Sequence, residues 1–312
     1  MESISVIIPT YRRSQDLIRC LGALKKQTRQ ATEIIIVIRD TDAETWNTVK
    51  SNDFSPLNLL TVAVSPPGVI EALNQGLDRA TGDMIALTDD DAMPHPDWLA
   101  RLEQHFLFDP EVGGVGGRDL VYHGTQLTQG TRKKVGQLQW FGRIIGNHHL
   151  GIGEAREVDL LKGVNMSFRR QAIAGLHFDQ RLRGTGAQVH WELAFSLAVK
   201  RRGWKLIYDP AILVNHYPAQ RFDEDQRRQY NDLSLRNAIH NETLALLDHL
   251  SPLRRLIFIL WAIAIGKRSS LGFVQWLRFF PQERSLASQK WVASMRGRWQ
   301  GWQTWQQTKK SY

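Results

Sequence analysis

Ile85-Ala86-Leu87-Thr88-Asp89-Asp90-Asp91-Ala92-Met93-Pro94-His95-Pro96-Asp97-Trp98 decides how this chain is read. Met84 to Leu87 has the apolar run of a short buried strand. It stops in three adjacent carboxylates, and two prolines prevent its continuation. Clustered like charges repel, so a fold that keeps them together supplies a cation. Hard divalent ions such as Mg²⁺ and Mn²⁺ take carboxylate oxygens and leave coordination positions for phosphate oxygens. Ligands of open α/β sheets sit beyond the carboxyl ends of the strands. The stretch therefore reads as an Asp-x-Asp metal site, Asp89 and Asp91, that holds a nucleoside diphosphate. The competing reading is a solvated acidic turn ahead of a helix starting near Asp97.

The flanking sequence weighs between the two. Ser3–Pro9 reads as a buried strand closed by proline, Asp16 to Gln27 as a helix, and Glu33–Ile38 as a second buried strand. A helix from Ala43 to Ser51, a strand at Leu59–Val64 and a helix from Val69 to Ala80 follow, with Gly82 as the stop. This β-α-β-α-β-α-β order predicts a mainly parallel sheet flanked by helices. Its strand ends carry Thr10/Tyr11/Arg13, Arg39/Asp40/Asp42 and Asp89–Asp91, and parallel strands bring all three groups to one edge.

Neither a dinucleotide-binding glycine fingerprint nor a Gly-x-x-x-x-Gly-Lys-Ser/Thr loop follows the first strand. Val112 to Gly117 reads as a strand whose small residues allow close packing. Tyr122 to Val158 reads as a long polar loop. His148-His149 lacks a third ligand at useful spacing. Lys162–Phe168 alternates like a strand, and Leu182 to Glu192 is a flexible entry to a helix through Lys200. Trp204–Tyr208 and Ile212–Val214 read as two short strands, and Phe222 to Leu250 as a long helix.

The chain has 312 residues, a net charge of +9 and a single cysteine, Cys20, which falls in a helical apolar pattern as a core residue would. No intrachain disulfide can form. Met1 to Val6 lacks a basic signal-peptide start, and no apolar run reaches the length of a spanning helix. A cytoplasmic location follows as an expectation. From Ser251 onward there are eleven Lys/Arg against one acid, Glu283, together with six of the eleven tryptophans. The first 250 residues are thus slightly acidic, and the basic character belongs to the tail. Trp291, Met295, Trp299 and Trp302 recur at helical spacing, with Lys290, Arg296 and Arg298 among them. Basic residues interleaved with tryptophan suit an interfacial helix on anionic lipid, here the inner face of the plasma membrane. A tail packed on the body or in a homodimer is the alternative. Nucleic acid is not an expected partner, because the body is acidic and no binding module occurs.

Residues 3–216, taken in order, resemble the family 2 glycosyltransferases with the GT-A fold. Ile7 to Arg13 is similar to the family's first strand and nucleotide loop, Ile36–Asp40 to its second strand with the base-binding acid, and Ala72–Leu77 with Ala80–Asp83 to its third helix. Leu87–Asp91 resembles its Asp-x-Asp motif, Gly163–Arg170 its acceptor-side strand, and Tyr208-Asp209-Pro210 with His216 its closing strand. The resemblance implies a catalytic domain over 1–250, divided into a nucleotide-sugar half (1–122) and an acceptor half (123–250); the basic, Trp-rich residues 251–312 follow as a helical tail, for which the charge and tryptophan pattern suggests membrane association. The resemblance implies inverting transfer of a sugar from a nucleotide-sugar donor to a hydroxyl of a glycan or lipid-linked acceptor, as in cell-surface polysaccharide synthesis, with Mg²⁺ or Mn²⁺ as cofactor. Pro9, Thr10, Tyr11, Arg13, Asp40, Asn74, Asp89 and Asp90 fall on the donor side. Gly163, Asn165 and Trp191 fall on the acceptor side, and Asp89, Asp91 and His216 at the metal. Two departures stand out. Arg39 precedes Asp40 where the family has a second Asp. His190 occupies the position of the family's Asp base, with Glu192 two residues on. Glu192 is the favoured base and His190 its rival. A non-catalytic sugar-nucleotide or glycan-binding protein and a nucleotidyltransferase are the competing functions.

Overall fold

The computed structural model describes residues 3–224, 226 and 230–310. β1 (Ile4–Thr10), helix α1 (Ser14–Leu24) and β2 (Glu33–Arg39) open the chain. Both strands are buried almost throughout, as strands covered by helices on two faces must be. α2 (Ala43–Ser51), β3 (Leu59–Val64), α3 (Val69–Arg79) and β4 (Met84–Leu87) follow. These four strands lie parallel in the order β3-β2-β1-β4, the arrangement that the alternation of elements predicts.

After the carboxylates come β5 (Ala92–Pro94), α4 (Trp98–Phe108) and β6 (Val112–His123). Two-residue strands β7 (Gln126–Leu127), β8 (Gln137–Leu138), β9 (Ile144–Ile145) and β10 (Arg156–Glu157) punctuate the segment read as loop. β11 (Met166–Arg169), α5 (Arg170–Ile173), α6 (Trp191–Arg201) and β12 (Lys205–His216) complete the sheet region. β11 runs antiparallel between β4 and β6, so the sheet is mixed. The two short strands expected at 204–214 are one strand. Its pairing with β6 breaks between Asp209 and Leu213, where Pro210 cannot donate to the ladder. β6 passes this bulge at Gly117, where any Cβ would meet the Ile212 carbonyl. The small residues of this strand therefore serve close packing, as read from the sequence.

The last elements are α7 (Asp232–His249), α8 (Pro252–Ala264), the hairpin of β13 (Gly266–Lys267) and β14 (Ser270–Leu271), α9 (Phe273–Glu283) and α10 (Ser285–Lys310). Of the long helix expected from Phe222, residues 225 and 227–229 lie outside the described residues, and α7 begins at Asp232. Asn231 caps it by accepting from the Ser234 N–H at 3.1 Å.

The chain divides into two compact units. The first comprises Met1–Gln137, Ile145–Phe178 and Ala198–Ala219 and holds the large sheet. The second comprises Leu138–Ile144, Asp179–Leu197 and Gln220–Tyr312. In the second unit α10 lies along α7. Gly297 faces the Arg236 carbonyl and Gly301 the His240 carbonyl, each so close that a Cβ would stand 2.7 Å from the oxygen. The tail helix is thus packed against α7, a helix that the sequence reading places with the first 250 residues.

Candidate active site

β4 ends at Leu87, and Thr88 fixes the exit by donating its hydroxyl to the Val164 carbonyl at 3.0 Å. The three carboxylates then diverge. Asp90 turns inward and is only 1 % exposed. It accepts from Thr10 Oγ1 at 2.8 Å and from Arg13 Nη1 at 2.9 Å. Burial pushes its pKa up to about 7, against the pull of Arg13. Asp90 therefore ties the loop after β1 to the end of β4.

Asp91 stands 3.9 Å from the same Arg13 nitrogen, and together with Asp89 it gathers around His216. β5 pairs Ala92 with His216 at the end of β12, which delivers the imidazole beside Asp91. His216 Nε2 lies 3.4 Å from Asp91 Oδ1, and Nδ1 lies 3.7 Å from Asp119 Oδ2 on β6. Ligand atoms of Asp89, Asp91 and His216 all fall within 4.8 Å of one another. The Ala219 N–H holds the remaining Asp91 oxygen at 2.8 Å.

The electrostatics follow from this crowding. Burial alone would raise Asp91, but His216, the Ala219 N–H and Arg13 outweigh it and hold the carboxyl at about 2. Burial likewise opposes a charged His216, yet Asp119 and Asp91 raise it to about 9. Asp89 is pushed up by burial and by Asp91. Asp119 is held down despite its burial by His216 and Lys162.

Beyond these ion pairs, Asp91 Oδ1, Asp119 Oδ1 and both His216 nitrogens are buried without a hydrogen bond among the described residues. Orphaned polar atoms of this kind are costly and call for an explanation. Two carboxylates and an imidazole, which would release its proton on ligation, fit a small divalent cation, with Asp119 behind the imidazole as an orienting carboxylate. Sequence reasoning missed Asp119. It lies within a strand, and only its position beside the β12 terminus gives it meaning.

The other donor-side residues surround this edge. Pro9 and Thr10 end β1. Beyond them the Tyr11 ring lies under the guanidinium groups of Arg39 at 4.4 Å and Arg12 at 5.0 Å. Arg12 has φ +56°, a conformation unusual outside glycine. Asp42 secures it by accepting from its N–H while also capping α2 at the Thr45 N–H. Asp40 is exposed at the end of β2.

Three assigned residues point into the protein. Asn74 is buried and exchanges hydrogen bonds with the backbone of Phe178. Asn165 accepts from Trp98 Nε1 and donates to the Ile212 and Arg118 carbonyls, and Gly163 beside it is buried. These contacts knit the sheet together. His148 is buried as well, in contact with the Leu160 carbonyl at 3.0 Å.

His190, Trp191 and Glu192 belong to the second unit. His190 takes φ +78° immediately before α6, and its carbonyl accepts from the Ala194 N–H. Burial lowers its pKa to about 4. Trp191 is 7 % exposed, and Glu192 stands in the first turn of the helix.

The cluster of Asp89, Asp91 and His216 thus lies at the carboxyl edge of the parallel strands, where ligands of open α/β sheets sit. Residues 5–176 match the family described as glycosyl transferase family 2, and the chain belongs to that family and is a glycosyltransferase. It is 26 % identical over 225 residues to a glucosyl-dolichyl phosphate glucuronosyltransferase of Haloferax volcanii, with 68 % of each chain covered. It is 26 % identical over 240 residues to the amylovoran biosynthesis glycosyltransferase AmsB of Erwinia amylovora, with 75 % of each covered. Among solved structures, residues 1–349 of S. aureus TarS superpose with a TM-score of 0.61 at 15 % identity, covering 96 % of this chain and 80 % of that one. The mannosyltransferase PcManGT of Pyrobaculum calidifontis, in complex with GDP-Man and Mn²⁺, gives 0.58 at 17 % identity, covering 96 % and 87 %. These likenesses identify the fold as GT-A.

Proposed function

We propose that this glycosyltransferase moves a sugar from a nucleotide-sugar donor to a hydroxyl of a glycan or lipid-linked acceptor, with inversion and with Mg²⁺ or Mn²⁺. The observation that carries the reading is the Asp89/Asp91/His216 cluster at the sheet edge, in which Asp91 Oδ1 and both imidazole nitrogens make no hydrogen bond among the described residues. These three side chains would hold the cation. When bound, it offsets negative charge growing on the departing diphosphate. The names of relatives, which include a glucosyl-dolichyl phosphate glucuronosyltransferase and a poly-beta-1,6-N-acetyl-D-glucosamine synthase, support a lipid-linked or polysaccharide acceptor.

The protein's own groups do the rest. Thr10 and Arg13, braced by Asp90, shape the loop that receives the nucleotide. A base takes the acceptor proton as the acceptor oxygen bonds to the anomeric carbon and the bond to the diphosphate breaks. An imidazole suits that role by titrating near neutrality. Burial has removed this advantage from His190, so Glu192 is assigned as the base and His190 as its neighbour. Glu192→Gln should abolish turnover while keeping donor affinity. Loss in His190→Ala alone would reverse the assignment.

A panel of UDP-, GDP- and dTDP-sugars incubated with Mn²⁺ tests the reading. Release of nucleoside diphosphate from one of them, dependent on the metal, is expected. Binding without release would favour a sugar-nucleotide-binding protein instead. We propose also that residues 251–312 rest on an anionic membrane surface. No helix of the described residues is long and apolar enough to cross a membrane.

A further inference from the structure

The second unit carries an apolar surface beside a basic cleft. Leu253, Leu256, Leu260 and Ile263 recur every three or four residues along α8, and all are exposed. On α9, Phe273, Val274, Leu277 and Phe280 are exposed too, and that helix has no buried residue. Nearly half of the exposed large apolar side chains among the described residues fall in this hairpin of helices. A soluble surface rarely gathers so many.

Between the two helices and the 138–144 segment lies a cleft of about 480 Å³. Phe141, Trp261 and Phe279 line it together with Arg143, Arg268 and Arg278. Phe141 and Trp261 meet edge to face at 5.2 Å. Arg268 and Arg278 both lie over Phe279, at 5.5 and 5.7 Å. None of these three arginines has an acidic partner among the described residues, whereas neighbouring Lys267 is paired with buried Glu242. No acidic side chain lines the cleft. Its volume is that of a small-molecule site, and guanidinium groups match phosphate geometry.

We propose that this cleft is the headgroup site for an anionic phospholipid whose acyl chains lie against the exposed face of α8 and α9. The proposal deepens the membrane reading above and rests on it. It moves the lipid contact away from the tryptophans of α10 that the sequence spacing suggests. Arg298 of that helix is buried against Glu242 rather than facing lipid. The charge complementarity of the cleft selects an anionic membrane over a second copy of this chain, whose matching cleft would be repelled.

Co-sedimentation of the full chain with phosphatidylcholine vesicles, with and without phosphatidylglycerol, tests this. Wild type should bind only the anionic vesicles. Each arginine near an anionic surface contributes about fivefold in partitioning, so Arg268→Ser with Arg278→Ser should weaken binding about twentyfold. An unchanged melting temperature of this double variant certifies its fold. Leu256→Asp with Leu260→Asp should abolish binding to the anionic vesicles. Glycerol 3-phosphate should not compete, because the acyl chains share the site. Several results would overturn the headgroup site: undiminished binding by the arginine variant, full competition by glycerol 3-phosphate, or aspartate substitutions that split a dimer without touching vesicle binding. Failure of wild type to bind any vesicle would remove the membrane reading as well, whereas normal vesicle binding by the arginine variant would leave it standing.

Discussion

The two units each bury carboxylates, and they treat them in opposite ways. In the second unit, Glu242 is closed off by Lys267 and by Arg298 at 2.7 Å. Arg298 is itself completed by Thr243 and Ser270. Burial alone would raise Glu242, but the two cations hold it well below the usual carboxylate range. In the first unit Asp90 is closed off in the same manner, while Asp91, Asp119 and His216 keep atoms that make no hydrogen bond among the described residues. A satisfied buried charge joins elements together. An unsatisfied one at a strand end is a place prepared for a ligand. The comparison separates scaffold from chemistry among side chains of a single type.

The sharpest way to break this contrast is to substitute one carboxylate of each kind. Asp91→Asn should lower turnover by about three to four orders of magnitude, since the cation is worth several kcal/mol in charge stabilisation. Its melting temperature should stay near wild type, and initial rates beside a thermal melt check both. Glu242→Ala should do the reverse. It leaves two cations buried and should cost about 3–5 kcal/mol of stability in a denaturant titration, with Mn²⁺ affinity retained.

Acid sharpens the contrast further. Burial holds both His190 and His240 down at about 4. A histidine lowered in the folded state stabilises it fully above the ordinary value near 6.5. That contribution is lost as pH falls from 6.5 to 4, because the unfolded chain takes up the proton first. Each should cost about 3 kcal/mol over that window. His240→Gln should flatten the dependence of the denaturation midpoint between pH 7 and pH 5. The smallest effect expected is that of Asp119→Asn. Losing an orienting carboxylate behind a metal-ligating histidine weakens metal affinity about 10- to 100-fold, and saturating Mn²⁺ should restore turnover.

Much of the first unit is legible because its strands are continuous apolar runs and its connections are short. β1 to β4 fall within a residue or so of their expected bounds, and Asp89, Asp91 and His216 converge because strand ends announce themselves in sequence. Asp119 is not legible, since it becomes significant only through the β6–β12 pairing. Asn74 and Asn165 read as site residues because the resemblance places them on the family's third helix and acceptor-side strand. Only their internal hydrogen bonds show what holds them. In the tail, tryptophan and arginine spacing draws attention to α10. The glycines that let α10 lie against α7 carry the opposite signal. The stripe on α8 is present in Leu253 to Ile263, but its exposure depends on what the fold leaves uncovered.

The central claim is that Asp89, Asp91 and His216 grip one divalent ion that in turn receives a nucleoside diphosphate. Titration of Mn²⁺ into the full chain, followed by electron paramagnetic resonance with and without UDP or GDP, tests it most directly. The account predicts one Mn²⁺ per chain, bound more tightly when the nucleotide is present, and no such binding in His216→Ala. Equal Mn²⁺ uptake by wild type and His216→Ala, or none by wild type, would contradict it.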